Sequence, residues 1–100
     1  MAIHVCNLGE VYYDFFRSDG VEAARTAWQN TLALPLLLRR DTDDVFIQQV
    51  GVIKVEEKVS FADAFALALS ARLDIPLVTT DHHEFDPVER KGRFRFVWLR

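Results

Sequence analysis

One hundred residues make one domain near the lower end of what buries a core of its own, so no multi-domain machine is expected. Half the residues are hydrophobic and 27% are charged, which excludes a disordered chain. The formal charge of −3 excludes a broad basic field, so any nucleic-acid contact has to come from local clusters.

Asn7 is a good N-cap residue, and Leu8, Val11, Tyr12, Phe15 and Phe16 follow it at helical spacing. A first helix is expected there, with Glu10 in its first turn. Gly20 separates it from an alanine-rich second helix, Val21 to about Thr31. Leu34-Pro35-Leu36-Leu37-Leu38 is short and apolar with its proline near the start, which predicts a strand inside a sheet. From Thr42 to about Glu56, Val45, Phe46, Gln49, Val50 and Ile53 mark one face of a helix, although Gly51 weakens the pattern. Ser60 caps a helix to about Leu73 whose alanine and leucine content predicts cover on most sides. Leu77 to Thr80 reads as a strand that stops at Asp81, and Phe94 to Leu99 as a terminal strand. The polar stretch Asp81 to Asp86 between them reads as a loop. Short apolar strands alternating with helices predict an α/β fold with a parallel sheet, whose ligands sit at the carboxyl ends of the strands.

The lone Cys6 excludes an intrachain disulfide and a cysteine-based zinc site, which favours a reducing, cytoplasmic setting. Met1 is followed by Ala-Ile-His-Val-Cys with no basic segment or long apolar run, so no signal peptide is expected. The longest apolar stretch, Phe61 to Leu73, is interrupted by Asp63, Ser70 and Arg72, so a soluble protein is expected.

Three acids stand where an apolar framework would position them: Glu10 and Asp63 in helix first turns, Asp81 at a strand end. Carboxylates brought together repel by about 1–4 kcal/mol per pair at ~4 Å. A hard cation such as Mg²⁺ or Mn²⁺ would relieve that and suit an oxygen-only set of ligands. The alternative is structural. Acids in helix first turns complement the dipole, Ser60-x-x-Asp63 resembles a capping box, and Asp after a strand is a common turn residue.

Three strings bear on that choice: Asn7-Leu8-Gly9-Glu10-Val11-Tyr12-Tyr13, Ser60-Phe61-Ala62-Asp63-Ala64-Phe65-Ala66, and Leu77-Val78-Thr79-Thr80-Asp81 followed by Glu84-Phe85. In this order, with an apolar strand between the first two, they resemble the segments of VapC-like PIN domains that deliver the second, third and fourth active-site acids. The resemblance covers about Asn7 to Leu99. It implies a three-layer PIN-like fold, a short parallel sheet flanked by helices, and an endoribonuclease dependent on Mg²⁺ or Mn²⁺. Glu10, Asp63 and Asp81 would be its metal ligands and catalytic acids. It also implies RNA as substrate and a cognate antitoxin as partner. The family's first strand, central in its sheet and ending in an aspartate, has no counterpart here. Met1 to Cys6 as a substitute strand, complementation by a second chain, or a longer gene product would each account for that. Of these, a homo-oligomer is the expectation. A non-catalytic PIN remnant that binds partners is the alternative function, and a transcription regulator finds no helix-turn-helix wording or basic helix to support it.

Basic residues gather near the C-terminus, at Arg90, Lys91, Arg93, Arg95 and Arg100, and a ribonuclease needs cationic walls for phosphates. Thr79, His82, Arg93 and Arg95 are therefore the expected substrate contacts, a solvated strand face being the other reading of the two arginines. Glu84 or Asp86 would either supplement the acid cluster or cap a turn. The aromatics Tyr12, Tyr13, Phe15, Phe16 and Trp28 suit a buried helix face or a protein contact better than base stacking.

Overall fold

The computed structural model describes residues 1–79 and 82–98, with the backbone alone for residues 79 and 82–84. The chain alternates short strands with helices and divides into two compact units, Met1–Thr42 and Asp43–Arg100. No helix among the described residues is long and apolar enough to cross a membrane.

In the first unit, strand β1 (Ala2–His4) runs straight into helix α1 (Val5–Asp19). Helix α2 (Val21–Leu32) and strand β2 (Leu37–Arg39) follow. The N-cap of α1 is His4, not the expected Asn7, and the helix begins two residues before Asn7. The buried imidazole takes the place of the usual hydroxyl or carboxamide. Its Nδ1 accepts the Cys6 amide at 3.0 Å, which puts the ring proton on Nε2, and Nε2 donates to the Asp41 carbonyl at 2.9 Å. Gly20 separates the two helices at φ 91° and ψ −178°, a backbone shape essentially reserved for glycine. α1 and α2 pack along their length over the fully buried Leu8 and Ala24. β1 and β2 are parallel, in register Ala2↔Leu37, Ile3↔Leu38 and His4↔Arg39. The segment Met1 to Cys6 thus supplies a strand, and the apolar run at Leu34 enters the sheet only from Leu37.

In the second unit, helices α3 (Asp44–Glu57) and α4 (Phe61–Leu73) pack together, followed by strand β3 (Leu77–Thr79), helix α5 (His82–Arg90) and strand β4 (Phe96–Trp98). β3 and β4 are parallel, in register Leu77↔Phe96, Val78↔Val97 and Thr79↔Trp98. Asp43 caps α3 by accepting the Phe46 amide, and Ser60 caps α4 by accepting that of Asp63. Lys58 and Asp74 end the two helices in the left-handed conformation, at φ 56° and 53°. The core gathers Phe46, Val50, Ile53, Val59, Ala64, Leu67, Ala68 and Leu69, with Phe85, Val88 and Phe94.

Two expectations are corrected in this unit. Residues 82–86 belong to helix α5 rather than to a loop. Phe85 and Val88, three apart, bury one side of it, and that spacing is hard to see behind His-His-Glu. Val45 is not on the buried face of α3. Phe46, Val50, Ile53 and Glu57 form that face at spacings of four, three and four, and Val45 points away from it, 71% exposed.

Candidate functional site

Asp63 is the best positioned of the expected acids. The Ser60 cap fixes the start of α4, and Asp63 sits half-buried in the first turn, its amide bonded to the Ser60 hydroxyl at 3.2 Å. The helix then commits Ala64, Leu67, Ala68 and Leu69 to the core, so its rotation cannot drift. A carboxylate at this end of a helix is favoured by the macrodipole.

Glu10 is exposed on α1, in the second turn rather than the first, because the helix starts at Val5. That removes the helix-dipole argument for it. Glu10 belongs to the first unit and Asp63 to the second. Asp81 lies outside the described residues, immediately beyond β3 and Thr80. Among the described residues no group of three or more His, Cys, Asp or Glu gathers as a metal site would require. The side chains of Thr79 and His82 also lie outside the described part; their backbones are in β3 and at the first residue of α5.

The C-terminal cations are engaged within the second unit. Arg93 bonds the Glu56 carboxylate and lies 3.5 Å from that of Glu57. The Lys91 ammonium donates to the Glu56 carbonyl at 2.9 Å and sits 3.4 Å from Glu57, whose side chain is only 3% exposed. These contacts fasten the end of α3 to the turn before β4. Arg95 bonds both the carbonyl and the carboxylate of Asp74, at 2.7 and 3.0 Å. Their charge is thus partly spent on neighbouring acids, which leaves a weaker cationic wall than the sequence suggested. Arg72 makes a two-pronged contact with Asp43 at 2.6 and 2.9 Å, and these hydrogen bonds lower the Asp43 carboxyl from its ordinary 3.8 to about 2.

Sequence reasoning missed a recess on the first unit. Tyr12, Arg25, Trp28 and Gln29 line an open cavity of about 340 Å³, with Tyr12 and Trp28 edge to face at 6.0 Å. Their spacing across two helices gives no sequence signal, since it depends on how α1 and α2 pack. Tyr13, Phe15 and Phe16 on α1 remain substantially exposed, so this aromatic stripe is not a buried face.

No protein-family model matches the chain, and no curated protein or solved structure matches it.

Proposed function

We propose that the chain is a divalent-metal-dependent endoribonuclease of the VapC-like toxin kind, built on a PIN-like three-layer fold. The observation that carries this is Asp63, a half-buried carboxylate held in the first turn of a capped helix whose next residues are committed to the core. The three sequence strings and the parallel pairing of both strand pairs support it. Glu10, Asp63 and Asp81 are the acids. Their all-oxygen donor chemistry fits Mg²⁺ or Mn²⁺ and would suit neither a soft nor a thiophilic ion. When bound, such a cation supplies positive charge against a phosphodiester and its attacking water. The carboxylates accept the proton as water oxygen bonds to phosphorus, and the ester oxygen leaves on the opposite side and is protonated from solvent. Arg93 and Arg95 serve substrate phosphates only by exchanging their contacts to Glu56, Glu57 and Asp74. The single exposed cysteine fits a reducing, cytoplasmic setting.

Calorimetric titration with Mn²⁺ tests the reading, alongside cleavage of a single-stranded RNA. Wild type should bind, and Asp63→Asn should weaken binding at least about tenfold, one ligand charge being removed. Absence of binding at millimolar metal rejects the nuclease.

A second reading has one observation in its favour. The exposed Tyr13, Phe15 and Phe16 on α1 suit a protein contact, and a non-catalytic PIN-like protein that binds an antitoxin would use such a stripe. In that case cleavage is absent while partner binding survives Asp63→Asn.

A further inference from the structure

Helix α3 carries two apolar stripes, and the fold uses only one. Phe46, Val50, Ile53 and Glu57 face the core. On the opposite side lie Val45, Gln48, Val52 and Val55, all exposed, the three valines at 71%, 44% and 77%. Their spacings are three, four and three. That is the a-d-a-d spacing of a helix seam.

The spacing of the seam reads the same in either direction. Its four positions are symmetric about residue 50, so in an antiparallel pair Val45 meets the partner's Val55 and Gln48 meets the partner's Val52. The flanks agree with this direction. Asp44, exposed in the first turn, and Lys58, exposed at the end of the helix, come together in an antiparallel pair. A parallel pair would set like termini beside each other and align the two helix dipoles. Glu56, the other acid at the seam's edge, is already bonded to Arg93. Gly51 lies one residue from the twofold axis, where the absent side chain lets backbones approach, and a Cβ there would meet nothing within 4 Å of its own chain.

We propose that the outer stripe of α3 docks on the same stripe of a second copy of this chain, antiparallel about the level of residue 50. The contact is isologous, the form that closes into a twofold dimer. It rests on α3 alone and stands whether or not the chain cleaves RNA.

Sedimentation over a concentration series provides the first test. Wild type should show a reversible monomer–dimer equilibrium, and Val52→Asp should raise the dissociation constant by more than about tenfold while circular dichroism stays unchanged. Asp44→Lys and Lys58→Asp should each weaken the dimer about fivefold, and the double variant should restore it. Disulfide trapping fixes the direction. In a Cys6→Ser background, Gly51→Cys should oxidise to a covalent dimer and Val45→Cys should not. A monomer at every concentration up to about 1 mM overturns the proposal, as does a dimer indifferent to Val52→Asp. Trapping through Val45→Cys but not Gly51→Cys overturns the antiparallel arrangement.

Discussion

Replacing His4 offers the sharpest check on how the first unit is held. Two bonds meet on this buried ring, one capping α1 through the Cys6 amide and one reaching the carbonyl of Asp41, 37 residues away. In His4→Ala the lost cap costs about 1 kcal/mol. The lost bond to Asp41 costs about 1 kcal/mol more. With the void left by a side chain that is 2% exposed, the total comes to roughly 2–4 kcal/mol. His4→Ser separates the parts, since a hydroxyl can still cap the helix but cannot reach Asp41. It should recover about 1 kcal/mol relative to alanine. The assay is urea unfolding followed by Trp28 fluorescence in a Trp98→Phe background, so that the only indole reports on the first unit. Equal destabilisation by serine and alanine would refute the capping role. A loss below about 0.5 kcal/mol for alanine would refute the burial and both bonds together.

Other outcomes follow from the same geometry. Leu67→Ala, at a fully buried position, should cost about 3 kcal/mol and appear as a lower thermal midpoint. Gly20→Ala should cost about 1–3 kcal/mol in chemical denaturation through backbone strain alone, because a Cβ there has open space around it. Asp43 has a folded pKa of about 2, below its ordinary 3.8, so its stabilising contribution is present above the ordinary value and is lost as pH falls through about 2. Acid titration of wild type should therefore show a loss between about pH 4 and pH 2 that Asp43→Asn and Arg72→Ala both lack.

Much of the architecture was readable because its signals are local. Ser60 with the Ala-Leu run announces α4, Gly20 breaks α1 from α2, and the short apolar runs at Leu37 and Leu77 mark strands that pair in parallel. The failures share a cause, which is tertiary context. Histidine is a poor statistical cap, so Asn7 looked better. His4 wins because burial and the Asp41 carbonyl fix its ring. Val45 looked like core because an apolar stripe on either side of α3 reads alike in sequence. The candidate acids were legible as residue types at helix and strand ends, and Asp63 occupies such an end. The aromatic recess and the ion pairs of Arg93 and Arg95 depend on which elements pack together, and no spacing rule encodes that.

The residue that stops α4 also guides the strand pair beyond it. Asp74 leaves the helix in a left-handed turn and at once grips Arg95, the residue just before β4. A glycine there would end the helix with less backbone strain, yet it would surrender the carboxylate that bonds Arg95, beside the paired Leu77 and Phe96. Register matters here, because a one-residue slip turns every side chain of a strand to the other face. The aspartate thus adds a solvent-exposed tie to a register that the Leu77 amide, donating to the Arg95 carbonyl at 2.9 Å, already holds.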